Sequence, residues 1–260
     1  MNLTCQASVL SELRDLADSD RHSILIAGKV GCGKTYLAKQ YATMLGISDF
    51  LVVNPTVPAI KDSLTSVYSI TSRIVLCIEN LDSGLASASH ALLKFLEEPL
   101  SHVYVVITCR NSYAVPDTII SRCACVEVAS PIPSDIDEYA EITDSIKYHS
   151  LRDKTIWAAV KSFRDVDIAF KLSSNNFEYY NNLETLLKFK DSCSNIVWKL
   201  SHYDDGSETN VSFVLNYLMY VCQSSRIQRQ IIECSRALNE ARVASHAILS
   251  KFVFDCKYGV

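Results

Sequence analysis

Residues Gly28-Lys29-Val30-Gly31-Cys32-Gly33-Lys34-Thr35 stand between a short apolar run and a helical pattern. No other feature constrains the fold of this chain as tightly. Ile24-Leu25-Ile26-Ala27 has the length and composition of a buried parallel strand, and Gly28 ends it. Downstream, Tyr36, Leu37, Ala38, Tyr41, Ala42 and Leu45 recur at helical spacing, and Gly46 marks the stop. Three of the seven glycines in the chain fall in this loop, where backbone must approach a ligand closely. Strand, loop and helix in this order predict an anion site: loop N–H groups and the helix N-terminus face phosphate oxygens. Lys34 neutralises the outer phosphates of a nucleoside triphosphate, and the Thr35 hydroxyl is placed to ligate Mg²⁺. The plain alternative, an accidental glycine turn before a helix, does not account for the flanking strand and helix.

A chain of 260 residues has room for one large domain or two to three smaller ones. Its 48% hydrophobic and 21% charged content is that of an ordinary globular protein. Apolar runs such as Ile74 to Ile78 and Val103 to Ile107 are strand-length, far short of the roughly 20 residues of a membrane span. The N-terminus, Met1-Asn2-Leu3-Thr4-Cys5-Gln6, lacks the charged-then-apolar order of a signal segment, so a cytoplasmic location is expected. The ten cysteines contain no Cys-x-x-Cys pair. Cys5, Cys32, Cys77, Cys109, Cys193, Cys222, Cys234 and Cys256 are scattered through apolar patterns, and strand alternation predicts that Cys123 and Cys125 share a face. They read as small buried hydrophobes, without a zinc site. A net charge of −4 with no basic run gives no electrostatic sign of nucleic-acid binding.

All six prolines lie before residue 134. The first half alternates candidate strands (Ile24–Ala27, Leu51–Val53, Ile74–Ile78, Val103–Thr108, Ala124–Val128) with helices or long turns. That pattern predicts a five-stranded, mostly parallel α/β sheet with helices on both faces, and a ligand at the carboxyl ends of the strands. Beyond Pro131-Ile132-Pro133 the chain is helical in pattern, with Ser134 and Asp137 spaced as an N-terminal capping box. Ser173-Ser174-Asn175-Asn176 and Asp204-Asp205-Gly206-Ser207 are turn signals. From Ile227 to Phe254, Ile231, Cys234, Leu238, Val243, Ala247, Ile248 and Phe252 recur at three- and four-residue spacing. Three domains are expected: a nucleotide domain over 1–130, a helical lid over 131–176 and an all-α bundle over 177–260.

Three further segments follow the phosphate loop in order: Ile74-Val75-Leu76-Cys77-Ile78-Glu79-Asn80, Ala91-Leu92-Leu93-Lys94-Phe95-Leu96-Glu97-Glu98-Pro99, and Pro116-Asp117-Thr118-Ile119-Ile120-Ser121-Arg122-Cys123. With the loop, these resemble the AAA+ subunits of DNA sliding-clamp loaders, the bacterial gamma and delta-prime subunits and their phage counterparts above all. The last two segments are far more specific to that group than the loop. The resemblance covers about residues 20 to 170 by motif and the tail by length and pattern. It implies an ATP-binding P-loop AAA+ domain, a helical lid and a collar through which five subunits form a ring. It also implies sister subunits, a sliding clamp and primer–template DNA as partners, in the cytoplasm of a bacterium or a phage-infected host. By the same resemblance, Arg122 acts as an arginine finger in a neighbour's ATP site and Arg164, in Lys161-Ser162-Phe163-Arg164-Asp165, as the lid sensor of the γ-phosphate. Lys94 is a candidate DNA contact. The plain alternatives are a surface ion pair for Arg122 and solvated or packed helix faces for Arg164 and Lys94.

The chain departs from active members at the second motif, where Glu79-Asn80 replaces Asp-Glu. Glu79 retains a carboxylate for Mg²⁺, but the Asn80 amide accepts no proton at neutral pH, and losing a general base costs about 10²–10⁴ in rate. Asp82 is a candidate substitute. Arg110 occupies the slot of a small polar sensor residue, the usual lid glycine is Lys161, and the bacterial four-cysteine zinc module is absent. Two functions are therefore expected ahead of others: a loader subunit that binds ATP, lends Arg122 and hydrolyses slowly, or an active motor built from copies of this chain. A non-replicative AAA+ ATPase is the third.

Overall fold

Each buried strand of the first half is followed by a helix that covers one face of a shared sheet. The computed structural model describes residues 6–83, 86–172, 211–222, 224–240 and 245–258. Two compact units, Met1–Asp135 and Ile136–Val260, make up the chain. In the first unit the order is α1 (Ala7–Asp18), β1 (Ser23–Gly28), α2 (Lys34–Met44), β2 (Asp49–Val53), α3 (Val57–Val67) and β3 (Ile74–Ile78). Then come α4 (Ala86–Glu97), β4 (Val103–Cys109), the short α5 (Asp117–Ile120) and β5 (Ala124–Val128). The five strands run in the order β2-β3-β4-β1-β5, all pairs parallel.

Side-chain alternation divides the core between the two faces. Ile24, Ile26, Val75, Cys77, Tyr104 and Val106 meet α1 and α2 on one face. Leu25, Ala27, Leu76, Ile78, Val105 and Ile107 meet α3, α4 and α5 on the other. Because β1, β3 and β4 are covered on both faces, they read as unbroken apolar runs. Thr56 caps α3, accepting from Ala59 N at 3.4 Å, with Pro58 in the first turn. In Ala91–Pro99, Leu92, Phe95 and Leu96 are buried under the sheet while Lys94, Glu97 and Glu98 face solvent. The apolar letters of that motif therefore hold the fold, and its charged letters remain for other work.

The helix α6 (Pro133–Leu151) leaves the first unit. Its start differs from expectation: Asp135, buried, accepts from Ile132 N at 2.9 Å, with Pro133 between them. The cap thus lies two positions before the Ser134–Asp137 pair, because proline needs no N–H partner at the first helical position. Asp137 instead accepts from Trp157 Nε1 at 3.1 Å. Inside α6 the backbone breaks at Asp144 (φ −158°, ψ 90°), whose carboxylate re-caps the helix by accepting from Lys147 N at 3.0 Å.

The second unit continues with α7 (Phe163–Leu172), α8 (Val211–Val221), α9 (Ser225–Glu240) and α10 (Ser245–Tyr258). One apolar core joins Tyr148, Val166, Phe213, Leu218, Ile231 and Phe252. The expected lid–bundle boundary at 176/177 and the turns at 173–176 and 204–207 lie outside the described residues. Ala247, expected in the apolar stripe of the last helices, is exposed, and Leu249 and Val253 beside it are buried.

At the start of α7, Ser162 Oγ accepts from Asp165 N (3.3 Å) and Asp165 Oδ2 from Lys161 N (3.0 Å), a reciprocal cap. Burial is the largest influence on Asp165 and raises its carboxyl above the ordinary value, against the hydrogen bonds from Lys161 and Ser162 and the charge of Arg164. A carboxyl raised in the folded state contributes stability below its unfolded value and loses it as pH rises through the folded value. Asp165→Asn keeps an acceptor without a charge. Thermal melts are expected to show it above the parent at pH 7, with the gap closing as pH falls through the carboxylate range.

Candidate nucleotide site

The loop after β1 takes the shape that its glycines allow. Gly31 (φ 80°) and Gly33 (φ 92°) occupy the left-handed region, and Gly33 opens α2. A Cβ on Gly28 would lie 2.8 Å from Cys32 Sγ and 2.8 Å from the Val128 carbonyl oxygen, so β5 and the loop close over this residue from both sides. Lys34 is only 7% exposed. Its ammonium donates to the carbonyls of Gly28 (2.7 Å) and Lys29 (2.9 Å), which point it into the curve of the loop. Three N–H groups serve two carbonyls, leaving one donor for a phosphate oxygen. Lys29 and Val30 stand exposed on the loop's outer side. Burial raises the Cys32 thiol despite the nearby Lys34 charge, so it stays protonated and unreactive.

Glu79 follows β3, two strands from the loop in the sheet, yet its Oε1 accepts from Thr35 Oγ1 at 2.5 Å. A hydroxyl and a carboxylate at this separation form the hard oxygen pair that suits Mg²⁺. The fit rests on the chemistry of those two donors. Asn80 next to it has φ 50°, a left-handed conformation that asparagine tolerates better than most residues. Its N–H donates to Thr108 Oγ1 at 3.0 Å. Thr108 is 1% exposed near the end of β4 and braces the second motif. A threonine inside Val103–Cys109, whose other residues are aliphatic, aromatic or cysteine, was the available sequence signal, and sequence reasoning passed over it.

Residues 56–131 match the family model of the DNA polymerase III delta subunit, well under half of the chain. The structure is similar to that of a DNA polymerase III gamma subunit-related protein from Thermotoga maritima, with a TM-score of 0.57 and 15% identity, covering 95% of this chain and 98% of that one. The fold is that of AAA+ P-loop proteins. The same AAA+ architecture relates it to the RuvB Holliday junction branch migration motor of Thermotoga maritima (TM-score 0.54, 13% identity, 96% of this chain and 82% of that one). No curated protein matches the chain in sequence.

In this AAA+ domain the phosphate loop, Glu79 and Asn80 converge at the carboxyl ends of the strands. Arg110 is exposed one residue beyond β4, next to the loop, since Ala27 pairs with Cys109. Arg122 does not join them. It precedes β5, whose last residue, Val128, pairs with Gly28, so Arg122 lies about 15–20 Å back along the strand direction. There its guanidinium donates to Thr118 O (2.7 Å) and Glu97 Oε1 (2.5 Å), with the side chain 33% exposed. The surface ion pair is real, and half its members come from the Ala91–Pro99 motif. Lys94 is exposed in the last turn of α4, and Arg164 is exposed in the first turn of α7.

Among the described cysteines, Cys32, Cys77, Cys109, Cys123, Cys222 and Cys234 are buried, Cys256 is intermediate and Cys125 is exposed. Cys123 and Cys125 thus do not share an environment, because Cys123 lies in the turn before β5 and strand alternation starts only at Ala124. Burial pushes the Cys77 and Cys123 thiols up to about 12. Among the described residues no three His, Cys, Asp or Glu side chains gather as a metal site, and no helix is long and apolar enough to cross a membrane.

Proposed function

We propose that this chain is an ATP-binding subunit of a sliding-clamp loader that works in a cytoplasmic ring with sister subunits, a clamp and primer–template DNA. In this reading it holds Mg²⁺–ATP on Gly28–Thr35 and Glu79 and lends Arg122 to a neighbouring subunit. The observation that carries it is the pairing of an intact phosphate site with an amide, Asn80, where a water-activating carboxylate would stand. Such a site binds triphosphate and hydrolyses it slowly. When bound, Mg²⁺ supplies charge neutralisation of the outer phosphates. The chain's own part is to orient the phosphates with loop N–H groups and Lys34, and to hold Thr35 and Glu79 together.

Support for the lent arginine is its distance along β5 from its own loop. A half-exposed ion pair such as Arg122–Glu97 is worth about 1 kcal/mol or less, so a neighbour's phosphates can displace it. Arg164 as lid sensor and Lys94 as a DNA contact rest on the motif resemblance and on their exposure.

Steady-state phosphate release tests the impaired site. The parent chain is expected to be slow, and Asn80→Glu to raise the rate about 10²-fold or more, less whatever the left-handed backbone costs a glutamate. A fast parent unaffected by Asn80→Glu would overturn the reading. A second reading, in which the chain is itself an active motor, draws on Asp82. Its Oδ1 is buried without a hydrogen-bond partner two residues beyond Asn80. In that case Asp82→Asn, not Asn80→Glu, changes the rate.

A further inference from the structure

Arg21 stands in the turn between α1 and β1 and is exposed. Its backbone is fixed at both ends: its N–H donates to the Leu16 carbonyl at 3.0 Å, and its own carbonyl accepts from the Tyr41 hydroxyl of α2. Its side chain is not fixed. Among the described residues the guanidinium makes no hydrogen bond and no ion pair. The acid beside it, Asp20, is engaged elsewhere, with Oδ1 accepting from the Tyr104 hydroxyl at 2.5 Å and from Arg73 Nη2 at 3.5 Å. Arg21 therefore presents an uncompensated charge from a rigid turn.

The sheet puts that charge beside Arg122. β1 and β5 are parallel neighbours with Ile24 opposite Ala124, and adjacent strands lie about 5 Å apart. Arg21 comes three residues before Ile24 and Arg122 two before Ala124, so the turns that carry them sit side by side at the amino edge. On the same flank α1 packs against β5. Burial and Cys125 raise the Cys123 thiol while the charge of Arg21 opposes them, as a cation within reach of the residue after Arg122 does. Glu97 answers the guanidinium of Arg122, and no acid among the described residues answers that of Arg21. Two neighbouring cations with one acid between them favour an anion of more than one charge.

We infer that Arg21 is a second guanidinium lent across the subunit seam: with Arg122 it binds the outer phosphates of a neighbour's nucleotide. The inference rests on the lent-arginine reading above and deepens it with a residue outside every motif. Charge balance favours a pair. In a site like this chain's own, Lys34 and Glu79 cancel, so Mg²⁺–ATP keeps about two negative charges, which one arginine halves and two neutralise. Adjacent phosphates offer separate oxygens, so two planar forks bind without competing. Arg122 leaves Glu97 to make its contact, whereas Arg21 gives up no protein partner.

The test places Arg21→Ala, Arg122→Ala or both in this subunit of a reconstituted assembly. It reads the affinity of the neighbouring site for a fluorescent, non-hydrolysable ATP analogue, together with phosphate release. Only the backbone of Arg21 serves the fold, so Arg21→Ala keeps its turn. This variant is expected to weaken the analogue about tenfold in the assembly and to leave ATP binding by the isolated chain as it was. Phosphate release slows too, and the double variant binds the analogue more weakly than Arg122→Ala. A silent Arg21→Ala beside an effective Arg122→Ala overturns the inference and leaves the lent arginine standing. So does an Arg21→Ala subunit that fails to assemble even without nucleotide, which makes Arg21 a seam contact. If neither variant alters the neighbouring site, the lent-arginine reading falls and takes this inference with it.

Discussion

An Arg122→Ala chain is expected to bind ATP as tightly as the parent, while an assembly containing it releases phosphate about 10³-fold more slowly or worse. The two halves of this result have separate causes. Arg122 sits at the amino end of β5, whereas its own phosphate loop lies at the carboxyl end of β1, so its removal leaves the local site untouched. A guanidinium placed across a subunit seam instead stabilises charge on the phosphoryl group in transfer, through a planar fork of donors that an ammonium lacks. Arg122→Lys is therefore expected to rescue little. Glu97 sharpens the experiment. It holds one guanidinium nitrogen, and its loss frees that donor, so Glu97→Gln should alter turnover only where Arg122 is present. An assembly indifferent to Arg122→Ala, or an Arg122→Ala chain that loses its own ATP, would dismantle the proposed exchange between subunits.

Lys34→Ala should lower ATP affinity about 10²-fold, measured by fluorescence titration with a labelled analogue. Part of the loss is the missing charge opposite the outer phosphates. The rest is local: the ammonium now satisfies the carbonyls of Gly28 and Lys29, and without it these oxygens are left unpaired inside a loop already tight against β5. Melting temperature should therefore fall along with affinity, by the equivalent of roughly 1–3 kcal/mol for uncompensated buried acceptors. A variant that melts earlier yet binds ATP normally would show that Lys34 is a brace for the loop and not a phosphate ligand.

The strands were legible because both faces of β1, β3 and β4 are covered, which leaves runs of apolar letters that no exposed segment shows. The phosphate loop was legible because left-handed φ values and a closed approach at Gly28 demand glycine, and glycines are few in this chain. Contacts between distant residues left no such mark. Gln6 is one polar letter ahead of a helix, and nothing local says that it reaches Cys32. Thr108 bonds to Asn80 across neighbouring strands, and Arg122 pairs with Glu97 across 25 positions. The cap falls two residues before Ser134 because Pro133 supplies the first helical position itself.

Local chemistry in the sequence alone determined the alternating α/β order, the glycine loop after β1 and the amide at Asn80, since each depends on the backbone preferences and side-chain type of adjacent residues. The tertiary structure alone decided which groups meet: Thr35 with Glu79, Gln6 with the loop, Arg122 with Glu97. Parallel strand order brings together segments far apart in the chain, and a hydrogen bond needs that placement to within a few tenths of an ångström.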